Sequence, residues 1–277
     1  MYNLIHAEFY KWKKSKSFFV CLLSAIGMIL FVYFMLKVVA EVQAGKLENG
    51  TGGVIVSGEL LEEENGDILK QIGILGVASE LTSSGIGSIF SAIFICIWIV
   101  SEYSHGAIKN TAGKGYIRGK VFLAKYLSTA IITLLMNLIM FIVTLFIGFV
   151  VIGTEDVNKI FFQNFFSYVV LQLLFSIAFG GIVMAICEFT RNMAVSIGVS
   201  IFLIAFSPII ISGVDMLFQV LHLNLKVSDY WIISVMNQCP TEGFAMEFII
   251  SGIVVTVMWI VLSLVFGMIH FKKADIK

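Results

Sequence analysis

Residues 126–152 read YLSTAIITLLMNLIMFIVTLFIGFVVI, 27 positions without an Asp, Glu, Lys, Arg or His. An α-helix needs about 20 apolar residues to cross a hydrocarbon core of roughly 30 Å. This stretch is long enough to do so, and it has company on both sides. Further apolar runs cover 18–39, 83–100, 162–186, 193–211 and 246–269. The whole chain is 59% hydrophobic and only 13% charged, against about 25% charged in soluble domains. The fold class that follows is an all-α polytopic membrane protein, one transmembrane domain over residues 1–277 with six spans. A β-barrel would show alternating segments of about 10 residues instead.

On the N-terminal side of the quoted run lies residues 101–125, the basic stretch between the second and third spans. It holds five of the eighteen Lys and Arg residues, Lys109, Lys114, Arg118, Lys120 and Lys125. These are expected to face cytosol or lipid phosphate. Ile108, Tyr116, Ile117 and Phe122 give the stretch apolar faces, and its glycines divide it into short pieces. A structured element of that kind suits docking onto a protein surface better than a bare topogenic loop does.

Further out, residues 1–17 place Ile5, Phe9 and Trp12 at helical spacing, with Lys11, Lys13, Lys14 and Lys16 beyond them. The pattern predicts an amphipathic helix in the membrane interface, anchored by Trp12, Lys11, Lys13 and Lys14. A plain basic flank is the alternative. The apolar region after it far exceeds the 7–15 residues of a cleaved signal, so an uncleaved first span is expected. Residues 40–80 form a Gly-rich acidic loop. Between 212 and 246, Val214, Leu217, Phe218 and Leu221 share one helical face, and Tyr230 to Ile233 is a second short apolar piece. The two read as a re-entrant hairpin before the last span.

Basic residues orient the chain, because Lys and Arg are enriched in cytoplasmic loops. With both termini in the cytoplasm, thirteen of the eighteen Lys and Arg residues fall inside. The acidic loop is then extracellular, and six spans return the chain to the side where it began.

The chemistry-bearing residues exclude several functions. Gly113 to Lys120 looks phosphate-like, but it fails the four-residue gap and the final Ser or Thr of a P-loop. The four histidines, His6, His105, His222 and His270, form no HExxH and lie in separate regions. No Cys spacing indicates a zinc site or a disulfide framework. Catalytic, cofactor-binding and metal residues are therefore expected to be absent, and no nucleic-acid partner is implied. Asn137 and Gln172 are the deepest polar side chains in the spans and are read as interhelical hydrogen-bond formers. The scarcity of intramembrane charge counts against an ion-coupled carrier.

Glu102-Tyr103-Ser104-His105-Gly106-Ala107-Ile108-Lys109-Asn110, followed by Gly115, Arg118 and Lys125, resembles the segment after the second helix of ABC-2 type permeases. Ala107 stands where that family usually has Thr. The nearest subgroup is the lantibiotic-immunity and bacitracin-resistance permeases of Gram-positive bacteria, whose N-terminal opening resembles Glu8-Phe9-Tyr10-Lys11. The resemblance implies a permease subunit with an elbow helix over 1–17 and a cytoplasmic coupling helix within 101–125. It implies a second permease chain, identical or homologous, and two copies of a cytoplasmic ATPase that binds the ATP and magnesium. It also implies that ATPase coupling falls to Glu102, Tyr103, Gly106, Lys109, Asn110, Arg118 and Lys120, with a secondary contact at Glu188 and Arg191. The implied cargo is an amphipathic peptide or a lipid-like molecule. An ATP-independent carrier or channel, or a non-transporting scaffold or sensor, is the alternative.

Overall fold

The computed structural model describes residues 2–47, 55–56, 59–60, 68–82, 85–104, 117–153, 159–222, 225–241 and 243–273. Nine α-helices carry these residues: α1 (Tyr2–Lys14), α2 (Lys16–Leu47), α3 (Ile68–Thr82), α4 (Ile86–Ser104), α5 (Arg118–Val151), α6 (Lys159–Thr190), α7 (Met193–Val220), α8 (Ile232–Asn237) and α9 (Met246–Lys273). A two-residue antiparallel pairing, Ile55 with Leu60 and Val56 with Glu59, lies between α2 and α3.

Among the described residues six stretches are long and apolar enough to cross a bilayer: Lys16–Val39, Ile74–Ser104, Arg118–Val151, Lys159–Thr190, Met193–Val220 and Met246–Lys272. The second is made of two helices, α3 and α4. Gly85 stands at their joint, where an added Cβ would lie 2.4 Å from the Glu80 carbonyl oxygen, so the close return of the backbone requires glycine.

Burial sorts the helices into a centre and a rim. The apolar windows of Ile74–Ser104 and Lys159–Thr190 are 62% and 61% buried, against 22% for Lys16–Val39, Met193–Val220 and Met246–Lys272. The central α4 therefore presents nearly its whole circumference to protein, including Phe94, Ile95, Ile99 and Val100. The rim helix α2 instead buries one stripe, Phe18, Cys21, Ala25, Ile29 and Tyr33, while Phe19, Leu23, Leu30 and Phe34 are exposed. That stripe follows i, i+3/i+4 spacing, and the opposite face is as apolar as a lipid-facing helix needs to be. Tyr33 closes the contact with α5 by donating to the Thr144 carbonyl at 3.0 Å.

Three expectations are corrected. The spans are longer at the charged end: α4 runs on to Ser104 and α5 begins at Arg118 rather than 126. The flanks of the basic stretch thus belong to spanning helices, and its middle, 105–116, with Gly106, Lys109 and Asn110, lies outside the described residues. The two-piece hairpin before the last span is not formed either. Its first piece is the continuation of α7, which passes through Pro208 to Val220. A spanning helix tolerates proline because neighbouring groups satisfy the freed backbone. Only the second piece is a separate helix, α8, and it is buried at Ile232, Ile233, Ser234, Val235 and Met236. The third correction concerns Lys125, placed by sequence in cytosol or headgroups; it is 3% exposed.

Candidate functional site

The α1 end of the bundle gathers the C-terminal turns of α4 and α6, the N-terminal turn of α5 and the joint between α6 and α7. Charged side chains meet there inside the protein. Glu102, in the last turns of α4, is 8% exposed and binds two ammonium groups. Its Oε1 accepts from Lys11 Nζ of α1 at 2.8 Å. Its Oε2 pairs with Lys125 Nζ of α5 at 2.5 Å. Lys11 also donates to Glu8 Oε1, one turn back on α1, at 2.8 Å. Lysines 23 and 91 residues away in sequence thus tie α5 and α1 to α4 through one carboxylate.

The charges are mutually necessary. Burial pushes the Glu8 carboxyl above its ordinary range, and the Glu102 carboxylate adds to this against the pull of Lys11. For Lys11, burial opposes the charged form, but the carboxylates of Glu102 and Glu8 outweigh it and its pKa rises. An ion buried without a partner costs several kcal/mol, so the sequence needs both signs in this one place.

Next to this lattice stands a second pair. Tyr103 Oη donates to Glu188 Oε2 of α6, and Glu188 is fully buried. The Tyr103 ring has cations near its face: Lys125 Nζ is 5.5 Å from its centroid and the Arg191 guanidinium 5.3 Å. Arg191 adopts φ 49°, the left-handed region that few non-glycine residues occupy. This turns the chain sharply from α6 into α7, and its N–H still bonds the Cys187 carbonyl at 3.0 Å. Asn192 then caps α7, with its Oδ1 accepting from Ala194 N–H at 3.0 Å and Val195 N–H at 3.3 Å. A two-residue joint of this kind leaves α6 and α7 antiparallel and adjacent.

The residues singled out from sequence fall into separate groups. Glu102, Tyr103, Glu188 and Arg191 are brought together. Arg118 is exposed at the start of α5, and its Nη1 donates to the Lys272 carbonyl of α9 at 3.0 Å. Lys120 is exposed one turn further. Of the four interface anchors, Lys11 is drawn into the ion lattice. Trp12 is half-buried, 5.0 Å from the Phe18 ring. Lys13 and Lys14 are exposed, and Lys14 lies 4.7 Å over the Tyr10 ring. Asn137 donates from α5 to Ser91 Oγ of α4 at 3.3 Å and to its own helix at Thr133. Gln172 donates from α6 to the Met236 carbonyl of α8 at 2.8 Å and to Tyr168 Oη at 3.1 Å.

Sequence reasoning missed Glu8 and Lys125 as site residues. A signal was present for the first. Leu4, Glu8 and Trp12 recur at i, i+4 and i+8, so Glu8 sits on the apolar stripe of α1 and must find a partner there. For Lys125 the signal is weaker: it lies between Phe122 and Tyr126, inside the apolar pattern rather than ahead of it.

Among the described residues no group of three or more His, Cys, Asp or Glu is placed to hold a metal ion. A site of paired charges contributed by helices from four parts of the chain is built to hold elements together. A search of curated proteins returned no match. The sequence model of the family described as ABC-2 family transporter protein matches residues 2–276. With six bilayer-length apolar stretches and a family match across nearly its full length, the chain belongs to the ABC-2 transporter family as a multi-pass membrane permease component that partners an ABC ATPase.

Proposed function

We propose that the chain is the permease of an exporter that moves an amphipathic substrate, an antimicrobial peptide in the first instance, out of the membrane. Two permease chains, each with a cytoplasmic ATPase, form the working unit. The ATPase docks on the segment between α4 and α5, with Gly106, Lys109 and Asn110 in its contact surface and Glu188 and Arg191 as a second point of support. Both termini face the cytoplasm on this reading, since thirteen of the eighteen Lys and Arg residues then lie inside. ATP and magnesium belong to the partner, and what reaches this chain is displacement.

One observation carries the reading. Glu102 and Lys125, on the two helices that flank residues 105–116, are paired at 2.5 Å and buried, and Lys11 fastens α1 to the same carboxylate. A push on the segment is thereby delivered to α1, α4 and α5 together, and through Tyr103 and Glu188 to α6. The experiment is co-purification of the ATPase with the full chain and with a Lys109→Glu/Arg118→Glu variant. The docked ATPase should be lost from the variant while its melting temperature is kept. Retention of the ATPase, or substrate transport by the chain with no ATPase present, would refute the reading. The peptide-resistance assignment is tested separately, by the drug tolerance of cells with and without the permease.

A further inference from the structure

Away from the ion lattice, at the same end of the bundle, α5 and α9 leave a groove between them. It has a volume of about 200 Å³ and is lined by Leu123 of α5 and by Leu264, Val265, Met268, Ile269 and Lys272 of α9. The α9 residues recur at i, i+1, i+4, i+5 and i+8, one continuous helix face. Five of the six lining side chains are apolar. Val265 and Ile269 are about half exposed, so the groove opens onto the apolar outer surface of the bundle.

Its charged end is as specific as its walls. Lys272 is exposed at the mouth. Gly119 allows the Lys272 side chain to lie across α5: a Cβ at that position would be 3.4 Å from Lys272 Cε. Among the described residues no carboxylate lies within ion-pair distance of the Lys272 ammonium. Lys120, exposed, is one turn from Leu123 on the same face of α5. Arg118 ties the two helix ends together through the Lys272 carbonyl. The Ile117 N-cap gives the first turn of α5 no side-chain acceptor, which leaves the positive helix end uncompensated by a side chain.

We infer that the α5–α9 groove is a binding site for an anionic phospholipid, with one acyl chain along Leu123, Leu264, Val265, Met268 and Ile269 and its phosphate on Lys272 and Lys120. The site asks for both halves of such a molecule at once. Apolar walls open to the outer surface of the bundle fit a hydrocarbon chain, and the Lys272 ammonium at the mouth, with exposed Lys120 on the neighbouring helix, fits a negative headgroup. This is independent of which substrate the permease exports.

The test is native mass spectrometry of the full chain from neutral-detergent micelles supplied with equal phosphatidylglycerol and phosphatidylcholine of the same acyl length. The wild-type chain should retain phosphatidylglycerol at least roughly fivefold over phosphatidylcholine, the attraction of about one Lys for an anionic surface. Lys272→Gln should bring that ratio close to one. Val265→Trp, which fills the groove from an exposed position, should lower retention of both lipids; Ile269→Trp serves the same purpose if the first variant does not fold by circular dichroism. Lys159→Gln, at the other end of the bundle, should leave retention unchanged. Equal retention of the two lipids by wild type would overturn the inference, as would an unchanged ratio in Lys272→Gln. So would full phosphatidylglycerol retention in both tryptophan variants, which would mean adsorption to a basic surface. Displacement of the lipid by millimolar inorganic phosphate would also overturn it, in favour of a site for free phosphate.

Discussion

Consider removing the charge of Glu102 while keeping its shape, as in Glu102→Gln. The carboxylate faces two ammonium groups, at 2.8 Å and 2.5 Å. At an effective dielectric of about 20, each contact is worth roughly 6 kcal/mol of gross Coulomb attraction. Desolvation of the two buried ions, Glu102 and Lys125, consumes several kcal/mol apiece, and Lys11, its side chain 40% exposed, is screened by water, so most of that sum does not survive as net stability. The loss on breaking the pair is set by what is left behind. Lys11 keeps Glu8, but Lys125 is 3% exposed and keeps no carboxylate. The expected destabilisation is about 3–5 kcal/mol, the range for orphaning a buried charge. Lys125→Met should cost less, because Glu102 then still holds Lys11. The double variant should be less damaged than the two singles added together, by about 2 kcal/mol or more, since it removes the orphan along with the partner. Unfolding of the detergent-solubilised chain in a denaturing-detergent titration, followed by circular dichroism, measures all three. Additivity within about 0.5 kcal/mol would refute the claim that the pair is a single buried unit. So would a Glu102→Gln variant as stable as wild type.

Three further outcomes follow from other contacts. Gly181→Ala should cost about 1–3 kcal/mol by overpacking, because its Cβ would lie 2.3 Å from Tyr126 Oη and 2.7 Å from Ser263 Oγ, where α5, α6 and α9 converge; the same titration reads it. Asn137→Leu should cost about 0.6 kcal/mol and no more than about 1.7, the worth of an interhelical hydrogen bond in a membrane bundle, and a loss above that would mean Asn137 does more than join α5 to α4. Burial pushes the Cys239 thiol up to about 12, so an alkylating reagent at pH 8 should leave it unlabelled in the folded chain and label it after unfolding, as mass spectrometry of the tryptic peptide will show.

The sequence carried the spans because a bilayer imposes a length, and six apolar runs answer it with six bilayer-length stretches in the structure. It carried much less of where each helix ends. Ser101 to Ser104 and Arg118 to Lys125 are polar enough to read as loop, yet they are helical, and the two charges that turn inward, Glu102 and Lys125, find each other across the bundle instead of water. The same reason hid the continuation of α7. Asp215 lies on the polar side of what reads as a short separate helix, but its carboxylate accepts from the backbone N–H groups of Val227 and Ser228, at 2.5 Å and 3.2 Å, and so ties the continuous α7 to the turn that follows it. Partners 91 positions apart, such as Lys11 and Glu102, leave no periodic trace in either segment. Only Glu8, a carboxylate on an apolar stripe, announced that a cation had to be waiting.

The two kinds of polar contact in this bundle differ in what they resist. Asn137 and Gln172 each place one neutral hydrogen bond between helices, and such bonds exchange partners at little cost. The Glu102–Lys125 pair at the centre of the Glu8–Lys11–Glu102–Lys125 lattice has no cheap alternative arrangement, because a displacement that separates those two ions leaves Lys125 as an unpaired buried charge. Under load, the bundle therefore yields first at its middle, where the bonds are neutral, and last at its α1 end, where the charges are. On the proposed docking of an ATPase between Ser104 and Ile117, the force meets that stiff end directly. It moves α1, α4 and α5 as one body before it changes their packing, and the relative motion is passed on to helices held by weaker contacts. Rim helices such as α7, which buries only Ser196, Ser200, Ile204 and Ser207, are the ones free to take it up.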